Sequence, residues 1–187
     1  MESPSPARVL LLPGWQNSGP AHWQSRWEAL YGDLRVEQHD WMHPLRGDWV
    51  MRLDEVVQAQ TGDVVLVAHS LGCLLVAAWA AQTRLSHRVR GALLVAPPDP
   101  QQPELPAVLH SWTSLVLPHL PFPSRLLGSH NDPYCSLTRA QSFADALGAQ
   151  WMDCGDAGHI NADSGLGDWP EGRTLLARLG DSQAHTN

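Results

Sequence analysis

The chain has 187 residues, 43% of them hydrophobic, and 12 basic against 19 acidic side chains give a formal net charge of −7. That length suits one domain (residues 1–187, with terminal tails at 1–7 and 181–187) around a sizeable core. An acidic surface repels nucleic acid and anionic lipid, so neither is an expected partner.

Residues 1–7 lack the basic start of a secretory leader. The longest apolar run, 71–81, falls short of the roughly 20 residues that cross a bilayer. Cys73, Cys135 and Cys154 are odd in number and widely spaced, which is no disulfide framework, and a reducing cytoplasm is the expected setting. Strand-like and helix-like segments then alternate. Arg8–Leu12 reads as a short buried strand ending at Pro13-Gly14. Residues 21–31 read as a helix with Trp23, Trp27 and Leu30 on one face, and 34–39 as a second strand. Residues 49–60 place Val50, Leu53, Val56 and Val57 at helical spacing. Residues 64–68 are wholly apolar, as in the centre of a parallel sheet. The helix that follows, 71–82, is apolar nearly all round and should be buried.

Residues 91–96 repeat the strand pattern. The proline-rich segment 97–123 is irregular, with one short helix near Ala107–Trp112. A strand at 125–128, a helix at 138–147, a strand at 149–153 and a helix at 173–179 complete the chain. The alternation implies an α/β architecture: a doubly wound, mostly parallel sheet of about six strands flanked by helices. Ligands of such sheets bind beyond the carboxyl ends of the strands.

Ser70 stands at the turn between the apolar strand and the buried helix. This is the setting of a nucleophile elbow, with small residues Ala68 and Gly72 two positions to either side. A helix-capping serine is the alternative, but a cap requires neither the apolar strand nor the apolar helix. His69 is expected to point away from Ser70 and to be structural. Attack by a serine builds charge on a carbonyl oxygen, and the backbone N–H groups of Leu71 and Trp15 are the expected donors to it. In this order of elements the acid and then the histidine follow the serine. His159 lies after the last strand, and Gly155 and Gly158 before it free the loop to bring the imidazole over Ser70, whereas His119, His130 and His185 lack its position. Asp132 follows the strand at 125–128, with Asp99 as its rival. Nine tryptophans suit core packing, with Trp15, Trp41 and Trp169 as candidate walls of a shallow substrate pocket. No metal-binding spacing, H-E-x-x-H motif or phosphate loop is present, so neither metal nor cofactor is expected.

Five segments carry a family resemblance: LPGWQNSGPAHWQSRWE at 12–28, DWMHP at 40–44 with Asp48-Trp49, AHSLG at 68–72, SHNDPYC at 129–135 and GHINADSGLGDWPEG at 158–172. Together they resemble the retinoblastoma-binding protein nine family of small serine hydrolases. The resemblance implies a compact α/β-hydrolase fold without a full cap domain and a catalytic triad of Ser70, Asp132 and His159. The pocket-protein-binding pattern L-x-C-x-E is missing its Glu at Leu75, so binding to a retinoblastoma-type protein is not expected. The expected partner is a small ester or amide substrate. A binding or regulatory protein that keeps the fold with little turnover is the alternative, since folds do not determine function.

Overall fold

A computed structural model of the chain describes residues 6–179. The expected tails, apart from Pro6 and Ala7, lie outside those residues, as does His185. Six strands are present: β1 (Arg8–Leu12), β2 (Leu34–Arg35), β3 (Val64–His69), β4 (Val89–Val95), β5 (Ser124–Gly128) and β6 (Gln150–Asp153). Five helices are interleaved with them: α1 (Trp23–Tyr31), α2 (Arg46–Ala59), α3 (Leu71–Ala80), α4 (Leu137–Leu147) and α5 (Pro170–Ala177). The sheet runs β2-β1-β3-β4-β5-β6, with every pairing parallel. This is the doubly wound parallel sheet expected from the alternation of elements, in the compact α/β-hydrolase form that the family resemblance implies.

Side-chain alternation along the strands builds two apolar layers. Leu10, Leu12, Leu66, Ala68, Leu94 and Leu126 face α2, α3 and α4. Leu11, Val67, Leu93, Val95 and Leu127 face the other way, against Trp23 and Trp27 of α1 and Trp169 before α5. Helix α3 is buried from Leu71 to Trp79, which is why its apolar character runs all round. Each large aliphatic side chain buried in these layers contributes about 1.5–3 kcal/mol relative to exposure. No helix among the described residues is long and apolar enough to cross a membrane.

Four boundaries differ from the sequence expectation for identifiable reasons. Helix α1 begins at Trp23 because His22 is its N-cap, the imidazole Nδ1 accepting from Gln24 N–H at 3.1 Å. Leu30 does not join the buried face of α1 and is 55% exposed. Strand β2 keeps only two of its six expected residues. After Val36 donates to the Leu11 carbonyl the chain leaves the sheet edge, and Asp40 closes a turn by accepting from Met42 and His43 N–H. Helix α2 starts three residues early, at Arg46, with Asp48 in its first turn. Helix α5 also starts three residues early, at Pro170, because proline suits the first helical position.

The strand order reverses between β1 and β3, its neighbour in the sheet. The carboxyl ends of those two strands lead into Gly14-Trp15 and into Ser70, so the switch point of the fold brings both segments to one crevice.

Candidate active site

Ser70 has φ 54° and ψ −124°, a backbone region that few residues other than glycine enter. It occupies the N-cap position of α3 yet makes no side-chain cap hydrogen bond, so the capping alternative finds no support in its contacts. Its N–H donates to the Val95 carbonyl, anchoring the turn to β4. Close packing holds the elbow rigid. A Cβ on Gly72 would lie 2.2 Å from the Leu12 carbonyl oxygen, and one on Gly14 would lie 2.8 Å from Ser70 Cβ. Both glycines are therefore required by the approach of the β1 loop to the turn.

The Ser70 hydroxyl lies 2.9 Å from His159 Nε2, and His159 Nδ1 lies 2.9 and 3.0 Å from the two Asp132 carboxylate oxygens. A carboxylate only accepts, so Nδ1 carries the proton, Nε2 is bare, and the hydroxyl donates to it. The Asp132 and His159 side chains are only 3% and 9% exposed, which limits screening by water. Asp132 is oriented further by Tyr134 N–H at 2.9 Å. Asp99, the rival carboxylate, is committed elsewhere, accepting from Arg139 and from Gln101 N–H. His130 pairs with Asp153 and does not touch Ser70.

His159 stands between two residues in the left-handed region, Gly158 (φ 59°) and Ile160 (φ 47°). The polar groups that hold this loop were not singled out from the sequence. Asn131 accepts from Gly158 N–H at 2.7 Å and Ser129 from Ala157 N–H at 2.9 Å. Asn161 and Ser164 form a reciprocal capping box on the 3₁₀ turn Ala162–Ser164. The N-x-x-S spacing in the sequence was the available signal. From the other end of the chain, Trp23 Nε1 donates to the Ile160 carbonyl at 2.9 Å and Trp27 Nε1 to the Asp168 carbonyl at 2.7 Å.

A cleft of about 520 Å³ opens over Ser70. Leu71 and Trp15 both line it. Among the described residues neither of their backbone N–H groups has a protein acceptor. Trp15, Leu105, Pro106 and Leu109 contribute apolar lining to the cleft, and Gln16, Asn17, Gln102 and Glu104 are among its polar groups. Trp41 and Trp169 are not part of it, which corrects the expectation from sequence. Trp41 packs edge-on against Trp49 behind the cleft, its carbonyl accepting from Gln16 N–H. Trp169 is 6% exposed and is buried against Trp23 and Trp27 in the second apolar layer. Both rings find their apolar partners within the fold. No group of three or more His, Cys, Asp or Glu side chains among the described residues is arranged to hold a metal ion.

Two further imidazoles lie beside His159. His69 meets its ring edge-on at 4.8 Å, and His22 meets His69 in the same way at 4.6 Å. Burial, with smaller contributions from Arg35 and His159, lowers the His22 pKa from its ordinary value to about 4. Between about pH 6.5 and 4 the unfolded chain therefore binds a proton at His22 that the folded chain refuses, so stability falls as pH drops through that window. From pH 7 to pH 5 the expected loss from this side chain is about 2 kcal/mol. Denaturant unfolding of His22→Asn, which keeps a capping acceptor but cannot titrate, should show a shallower pH dependence than wild type. An unchanged slope would place the acid sensitivity elsewhere.

Comparison with known proteins bears on the same residues. The serine hydrolase family profile matches residues 9–178. A YdeN-like hydrolase from Pectobacterium atrosepticum is 33% identical, with 94% of this chain and 91% of that one covered at a TM-score of 0.82. The ydeN gene product of Bacillus subtilis is 19% identical, with 94% and 100% covered at a TM-score of 0.76. The esterase domain of a Rhodothermus marinus protein is 16% identical, with 94% and 87% covered at a TM-score of 0.69. These last two share the fold. No curated protein matches the chain. The family match runs from β1 into the residue that follows α5 and takes in the strained turn at Ser70, so the chain belongs to the serine hydrolase family.

Proposed function

We propose that this hydrolase cleaves small carboxylic esters or amides through an acyl-enzyme on Ser70. The observation that carries the reading is the unbroken hydrogen-bonded line from Ser70 through His159 to Asp132. Ser70 Oγ attacks the substrate carbonyl carbon while its proton passes to His159 Nε2. Asp132 stabilises the resulting imidazolium and keeps its orientation. The oxyanion is met by the N–H groups of Leu71 and Trp15, two residues that line the cleft and whose N–H groups have no protein acceptor among the described residues. His159 then gives the proton to the leaving group as the carbonyl–leaving-group bond breaks. A water molecule repeats the sequence on the acyl-enzyme and releases the acid. Resemblance of the five segments to the retinoblastoma-binding protein nine family supports the same assignment.

A fluorophosphonate probe tests this directly. Only an activated hydroxyl reacts quickly, so peptide mass mapping should find the label on Ser70 alone. Absence of label, or label on Ser129 or Ser164, would remove Ser70 as the nucleophile and leave the alternative of a binding protein.

The apolar wall supports a small acyl group. Leu105, Pro106 and Leu109 belong to the proline-rich segment, which is tied down beside them. Trp112 Nε1 donates to the Pro44 carbonyl at 2.7 Å, and Arg46 binds Ser111 Oγ and the Ser114 carbonyl. A wall so fixed does not open to enclose a long chain. Each methylene inside the pocket adds about 0.8 kcal/mol, and each one beyond it adds nothing. Across p-nitrophenyl esters from acetate to palmitate, kcat/KM should peak at short acyl chains. A peak at dodecanoate or longer would contradict this account of the pocket.

A further inference from the structure

His69 immediately precedes the proposed nucleophile and is only 5% exposed. Its Nε2 lies 2.9 Å from the backbone carbonyl oxygen of His159. A carbonyl only accepts, so His69 Nε2 carries a proton and donates it. Burial, reinforced by the neighbouring His22 and His159, holds the His69 pKa well below its ordinary value, so the ring is neutral and Nδ1 is bare. The ring cannot swing freely, because His159, His22 and Trp23 all meet it edge-on, at 4.8, 4.6 and 6.1 Å.

What the bond restrains is the main chain of His159. Asp132 reaches only the imidazole, and the backbone at this point passes between two left-handed residues on a loop beyond β6. Trp23 grips the next carbonyl, that of Ile160, from α1. Among the described residues, His69 makes the one hydrogen bond from β3 to the His159 backbone. We propose that His69 is a positioning residue, whose Nε2–H···O=C bond to His159 sets the placement of that imidazole against the Ser70 hydroxyl. The inference rests on His159 being the acceptor of the serine proton.

His69→Phe keeps a ring of similar bulk for its neighbours but loses the donor. Misplacement of a reacting group by about 1 Å can cost on the order of 10²-fold. His69→Phe should therefore lower kcat for a p-nitrophenyl ester by about 10- to 100-fold with KM little changed. His69→Gln, whose amide N–H reaches about as far as Nε2, should recover most of that loss. Unchanged kcat in His69→Phe, a loss confined to KM, or a His69→Gln no better than Phe would each overturn the proposal. If His69→Phe does not fold, long-range ¹H–¹⁵N correlation on the wild-type protein decides. His69 should be protonated on Nε2 and bare on Nδ1, and the opposite tautomer would overturn the bond. His159→Ala in the same assay separates the two ideas. Activity kept there overturns the proposed proton acceptor and this inference with it. Activity lost there, beside an unaffected His69→Phe, overturns this inference alone.

Discussion

His159→Ala is expected to lower kcat/KM toward a p-nitrophenyl ester by on the order of 10⁴-fold or more, with the fold intact. His159 Nε2 is the one side-chain partner that the Ser70 hydroxyl has among the described residues. The other two imidazoles nearby cannot substitute. His69 spends its Nε2 proton on the His159 carbonyl, and His22 directs Nδ1 to Gln24 N–H. Without a base the hydroxyl remains a weak nucleophile. What survives is expected to come from the proposed oxyanion donors and from binding, as a residual rate above that of water. Steady-state kinetics beside a thermal melt checks the expectation. A folded His159→Ala protein with most of its activity would contradict the proposed role.

Asp132→Asn should approach the same loss, about 10⁴-fold, although it leaves the shape of the site nearly unchanged. An amide can donate to Nδ1 where the carboxylate could only accept. The proton then moves to Nε2, and the imidazole can no longer receive one from Ser70. The charge that stabilises the imidazolium is lost as well. Asp99→Asn is the informative control, since Asp99 also lines the cleft but bonds Arg139 and Gln101. It should alter kcat/KM only a few-fold. If Asp99→Asn proves the costlier change, the acid has been placed on the wrong loop.

The parts of the fold legible in the sequence are those whose information is local. Residues 64–68 and 71–79 declare themselves by nearly unbroken apolar runs, because almost all of their side chains are buried. The positions of Ser70, Asp132 and His159 are legible because each follows a strand, and strand ends at a switch point converge. The tryptophans were harder to place, since an indole's apolar character does not reveal which neighbour covers it. Trp169 is covered by Trp23 and Trp27, more than 140 positions earlier in the sequence. The start of α5 is marked only by Pro170 at its first position, a local signal with no apolar periodicity beside it. The imidazole row His22, His69 and His159 left no periodic trace, because its members meet only through tertiary packing.

The indole bonds from Trp23 to Ile160 and from Trp27 to Asp168 span 137 and 141 positions, so the chain from α1 to the loop beyond β6 must be present before either can close. Contacts of such range carry the largest loop-closure cost and tend to form late. A chain that extends only through β5 contains Ser70 and the donors His69 and Trp23, but lacks Asp132 and His159. On the proposed mechanism, hydrolysis therefore waits until the loop beyond β6 docks against α1 and the end of β3. On that mechanism a chain without this loop has no base for the Ser70 hydroxyl.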